Sequence, residues 1–112
     1  MRIAFTAKGT DWDSQIDSRF GRTEFLVIFD EKTEEIKVID NRDIQNEAHG
    51  AGPKTSQLLL EQKVDVLITG NGPGGNAAAV LERGNLEIFI GAGGMTVKES
   101  HVKYKNGDLA KF

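Results

Sequence analysis

The sequence predicts an α/β domain built on a mixed sheet of five strands, the second of them antiparallel. Three observations predict it. Short β-branched and aromatic runs fill the first forty residues, with a tight polar turn between two of them. After residue 50 the pattern changes to alternating helix and strand. Two of the later strand patterns then empty into glycine-packed turns that lead straight into helix formers, Gly70-Asn71-Gly72-Pro73-Gly74-Gly75 and Gly91-Ala92-Gly93-Gly94.

Each element has its own reason. Arg2 to Ala7 and Glu24 to Asp30 are the first two strands, the second apolar enough to be buried. Asp30-Glu31-Lys32-Thr33 reads as a tight turn into a third strand, Glu35 to Asp40, where Ile36 and Val38 alternate with charged neighbours, so strands two and three form a hairpin. Pro53 suits a first helical position, and Leu58, Leu59 and Val64 supply apolar sites, giving a helix from Pro53 to about Lys63. Val64 to Thr69 is the fourth strand, Asn76 to Arg83 a helix stopped by Gly84, and Leu86 to Ile90 the fifth strand. A last helix runs from Thr96 to about Lys105, ended by Asn106-Gly107.

Direction decides where a ligand is expected. Hairpins reverse the chain, whereas parallel strands need helical crossovers. With strand one pointing up, every long or glycine-rich connection falls on the upper edge: 8–23, 41–52, 70–75 and 91–95. Open α/β sheets bind ligands there, outside the carboxyl ends of the parallel strands. Three helices starting at that edge aim their positive dipole ends at a common space, and Arg19 and Arg22 approach it from a fourth loop. An anionic guest is the inference. His49, just before the first helix, adds an imidazole able to ligate a metal or donate a hydrogen bond.

Composition bounds the rest. At 112 residues the chain fits one domain with one core. A net charge of -3 with scattered basic residues argues against nucleic-acid binding. There is no cysteine, which excludes disulfides and thiolate-held zinc or iron–sulfur centres. No apolar stretch approaches a membrane span and no secretion signal opens the chain, so a cytoplasmic protein is expected.

Bland readings compete with several of these signals. Gly70, Gly72 and Gly75 satisfy G-x-G-x-x-G, but Ile90-Gly91-Ala92 stands where a ribose-binding acid belongs, and only 37 residues follow Gly75, which disfavours a dinucleotide. Gly52-Pro53-Lys54-Thr55 lacks the P-loop spacing. Asp11, Asp13 and Asp17 read as a solvated loop in which Asp17 or Ser18 accepts turn hydrogen bonds, rather than as a cation site. Phe20 and Trp12 read as anchors of their loop, the alternatives being a pocket wall and a flap, and His101 reads as a surface residue of the last helix.

Three blocks in order, Asp17-Ser18-Arg19-Phe20-Gly21-Arg22, His49-Gly50-Ala51-Gly52 and Val64-Asp65-Val66-Leu67-Ile68-Thr69-Gly70 with the glycines after it, resemble the dinitrogenase iron-molybdenum cofactor accessory family. That family includes NifX-like carriers, the C-terminal domain of NifB and the molybdenum-copper orange protein. The resemblance covers nearly the whole chain. It implies a three-layer α/β/α domain of ribonuclease H-like topology and non-covalent carriage of an anionic metal–sulfur cluster, molybdenum with iron or copper, rather than turnover. By position it implies a site from Arg19, Phe20, Gly21 and Arg22, His49 with Gly50, the turn bearing Gly70, Asn71, Gly72, Gly74 and Gly75, and Gly93 with Gly94. Where relatives bring cysteine to the cluster this chain has none, which favours a cargo carrying its own sulfides. A two-metal nuclease, the rival suggested by that topology, lacks its strand carboxylates: Ile3-Ala4-Phe5-Thr6-Ala7 offers none and Asp65 lies at the lower end. The expected partners are the cluster and a client or cluster-donor protein. A nucleotide- or phosphate-binding enzyme using the 70–75 loop, or an interaction module without a small ligand, are the alternatives.

Overall fold

The computed structural model describes residues 1–45 and 50–112. Six strands and four helices follow in the order β1 (Arg2–Ala7), β2 (Phe25–Asp30), β3 (Glu35–Asp40), α1 (Arg42–Gln45), α2 (Ala51–Glu61), β4 (Val66–Ile68), α3 (Gly75–Glu82), β5 (Glu87–Ile90), α4 (Val97–Lys105) and β6 (Ala110–Lys111). They form one sheet in the order β3-β2-β1-β4-β5-β6. β1 is antiparallel to β2 and parallel to β4, and β4 is parallel to β5.

Burial explains the order. β4 is apolar throughout and β1 is apolar apart from Arg2 and Thr6, and both occupy the centre, where Ile3 to Ala7 and Val66 to Ile68 are all buried; β3, with charges at Glu35, Lys37 and Asp40, takes an edge. Alternation splits the core in two. Ala4, Leu26, Ile28, Leu67 and Ile88 meet Leu59 of α2 and Ala77 and Leu81 of α3 on one face, whereas Ile3, Phe5, Val27, Val66 and Ile68 meet Val97 of α4 on the other. The helices thus lie on both sides of the sheet.

Four expectations are corrected. The sheet has six strands, because Ala110 and Lys111 pair with Ile90 and Phe89 after the turn at Gly107. Two residues of strand carry too little periodicity to be read from sequence. The connection after β3 contains α1, a single turn. α2 begins two residues before Pro53, with Gly50 as N-cap at φ 76°. His101 is not a surface residue: it packs edge-on to Phe5 and Phe29, with ring centres 6.2 and 5.5 Å away, and beside Trp12 at 5.5 Å. Helical spacing alone does not show that the 8–23 loop folds back to bring Trp12 against α4. Burial lowers the pKa of His101 from its ordinary value, opposed by Glu31 and aided by Lys105.

Candidate functional site

The sheet centre sets the site. β1 and β4 end side by side, and their connections leave in opposite directions, one into residues 8–24 and the other through the glycine turn into α3. This is the switch point where open α/β sheets leave a crevice. Thr6 Oγ1 stitches it, donating to the Asp17 carbonyl at 2.7 Å and lying 2.8 Å from Thr69 Oγ1.

Backbone bonds then draw the loops together. Asn71 N–H donates to the Ser18 carbonyl at 2.8 Å, Ile16 N–H to Met95 at 2.8 Å, Val97 N–H to Ser14 at 2.8 Å and Gly91 N–H to Gly70 at 3.0 Å. The approach is close enough to require glycine. A Cβ on Gly70 would sit 2.7 Å from Ser18 Cα, and one on Gly21 would sit 2.6 Å from both N and Cα of Gly52. Gly52 in turn faces Ala77, so α2 and α3 begin against one another; Ser56 Oγ bridges them, within 2.9 Å of the Gly52 carbonyl and 3.1 Å of the Ala77 carbonyl.

The electrostatics differ from the simple expectation of two cations over a hollow. Asp17 is 1% exposed. Its carboxylate accepts from the Arg19 guanidinium twice, at 3.1 Å each, and from the backbone N–H groups of Arg19 and Glu24 at 3.0 and 3.2 Å. Burial pushes this carboxyl up, but those hydrogen bonds outweigh it and hold the pKa below its ordinary value. The same pair raises Arg19. Asp17 therefore accepts the turn hydrogen bond expected of it but is buried rather than solvated, and the positive charge of Arg19 is largely matched.

Helix ends supply what Arg19 does not. α2 and α3 start at Gly50 and Gly74, and among the described residues neither start has a side-chain cap or an acid in its first turn. Their orphan N–H groups face the upper edge. α4 contrasts with them: Thr96 and Glu99 form a reciprocal capping box, and the Val97 and Lys98 N–H groups donate to Ser14 and Trp12. Of the three dipole ends expected to converge, two carry no side-chain cap among the described residues.

The predicted residues fall as follows. Arg19 and Arg22 are exposed on the loop, with Gly21 packed against Gly52. Phe20, 4% exposed, is inside the core and holds the loop from below. Gly50, Gly74 and Gly75 stand at the two open helix starts, and Gly70 and Gly93 flank Ser18. Asn71 uses its N–H on Ser18, Gly72 lies under the Phe112 ring, and Gly94 turns the chain at φ 86°. His49 lies outside the described residues. Sequence reasoning missed Thr6, Thr69 and Phe112; the acid two residues before Arg19 was the available sign of the Asp17 keystone. The described residues contain no group of three or more His, Asp or Glu placed to hold a metal ion, and no helix of the structure is long and apolar enough to cross a membrane.

A family model described as dinitrogenase iron-molybdenum cofactor matches residues 1–107. The chain belongs to that family. Among solved structures, the apo form of the orange protein from Desulfovibrio gigas is 32% identical, covering 99% of this chain and 92% of that one, with a TM-score of 0.92. A putative NifB protein from Thermotoga, described as belonging to the DUF35 family, is 31% identical over 98% of this chain and 91% of that one, with a TM-score of 0.84. A third structure, 18% identical with a TM-score of 0.76, shares the fold. No curated protein sequence matches the chain. Within the family fold, the open starts of α2 and α3 lie at one edge, and the capped start of α4 is tied to the same loop.

Proposed function

We propose that this chain is a non-enzymatic carrier that holds an anionic metal–sulfur cluster, molybdenum with iron or copper, without covalent attachment, for cofactor assembly or metal storage. The observation that carries the reading is the meeting of the starts of α2 and α3, neither with a side-chain cap among the described residues, beneath the loop bearing Arg19 and Arg22. Backbone N–H groups at helix starts are anion donors by geometry and by dipole. The donor set suits a cargo that brings its own ligands: without cysteine, the described rim offers hydrogen bonds rather than metal bonds. Sulfides of a preformed cluster accept such bonds. His49 is proposed as a ligand or hydrogen-bond donor, from its place beside Gly50 in the sequence. A client or cluster-donor protein, met in the cytoplasm, completes the proposal.

The test is to add tetrathiomolybdate, alone and with copper or iron salts, to the purified protein and follow the visible spectrum. A stoichiometric chromophore, weakened by Arg19→Ala with Arg22→Ala and untouched by Lys37→Ala at the opposite edge, is the expected result. No chromophore in any combination overturns the proposal.

A further inference from the structure

Gly72 is bare for a reason that anion binding does not supply. A Cβ there would lie 2.1 Å from Cε1 and 2.4 Å from Cδ1 of the Phe112 ring. The ring is placed by main-chain pairing. Phe112 N–H donates to the Ile88 carbonyl at 2.8 Å, extending the β5–β6 ladder beyond the Phe89–Lys111 pair. Since Lys111 shares a face with Phe89, Phe112 projects to the other face, where it borders a cleft with Ala78 and Glu82 of α3. It thus spans from the flank of α3 to the turn that launches that helix. A single exposed aromatic is ordinary, but this one, 54% exposed, fills the space that a side chain on Gly72 would take.

We propose that Phe112 is a positioning residue for the glycine turn: its ring, bearing on Gly72, fixes the path of the backbone between Asn71, tied to Ser18, and Gly74, the start of α3. The inference deepens the carrier reading and rests on it. Gly72 is glycine so that the ring can reach the main chain, and the ring replaces the wall that a side chain at that position would have supplied. Support of this kind acts through the groups that touch the guest, and losing it costs roughly 10-fold or more in affinity in comparable outer-shell cases.

The experiment compares Phe112→Ala, Phe112→Tyr and Gly72→Ala in the full chain. Amide hydrogen exchange is read across residues 71–76 and, as a control, across β1; affinity is read by visible titration with tetrathiomolybdate and a copper salt. Phe112→Ala should speed exchange in the turn but not in β1 and weaken binding about 10-fold. Gly72→Ala, whose methyl displaces the ring, should reproduce both effects, and Phe112→Tyr should restore both. Unchanged exchange in the turn, exchange that rises equally in β1, or faster exchange with unchanged affinity would each overturn the inference. A wild-type chain that forms no chromophore overturns the carrier reading and the binding half of this inference with it, while the exchange comparison still decides whether the ring holds the turn.

Discussion

The starts of α3 and α4 sit at the same edge of the same sheet and are built in opposite ways. α4 closes its first turn with Thr96 and Glu99 and spends its next N–H groups on the 8–24 loop. α3 starts on Gly74 with no side-chain cap among the described residues and no acid nearby, and α2 starts likewise on Gly50. Glycine at the N-cap in place of Ser, Thr or Asp forgoes only about a few tenths of a kcal/mol. The difference teaches that the start of α4 is spent on the scaffold, whereas those of α2 and α3 carry no side-chain cap among the described residues.

The comparison can be broken, beginning with the part that holds both ends in place. Asp17→Ala should cost about 2–3 kcal/mol in chemical denaturation, because it strands the Glu24 and Arg19 N–H groups and unpairs Arg19. In the wild type this contribution is complete above the ordinary carboxyl value of 3.8 and is lost as pH falls through the lowered pKa of the folded state, so an acid titration of stability should show it and Asp17→Asn should abolish it. Gly74→Asp gives α3 the cap it lacks, at a position where a Cβ meets nothing within 4 Å. It should raise the melting temperature slightly and weaken tetrathiomolybdate uptake roughly tenfold, since the new carboxylate occupies the donors and repels the guest. Thr96→Ala is the mirror experiment: about 1 kcal/mol of stability lost, with the chromophore unchanged. If Thr96→Ala weakens uptake as much as Gly74→Asp does, the two ends are not different in kind. The smallest effect concerns the far face. His101, half-buried with a lowered pKa, should cost stability as pH falls from 6.5 toward that lowered pKa, at no more than about 1.4 kcal/mol per unit, and His101→Phe should flatten that slope.

Much of this arrangement was legible in the sequence. β1 and β3 were read with their observed bounds, and the parallel strands and both glycine turns fell on the expected edge, because period-two burial and glycine before a helix are local signals. What escaped depends on distant partners. The fate of Arg19 turns on the burial of Asp17 beneath it, the packing of His101 on Trp12 joins residues 89 positions apart, and the contact of Gly72 with Phe112 joins two ends of the second half. Capping was readable in part: Thr96 with Glu99 three residues later is a capping-box signature, but that it removes α4 from the set of open dipoles emerges only when all three starts are compared.

The pairing of Asp17 with Arg19 has a practical corollary. One partner is held below its ordinary pKa and the other above it, so neither changes charge between about pH 5 and 8, the window in which an imidazole titrates. The chain has two histidines, and His101 lies on the α4 face of the sheet among Phe5, Trp12 and Phe29. Any bend in cluster uptake across that window therefore comes from a group other than this pair, and Arg19 keeps its charge throughout it.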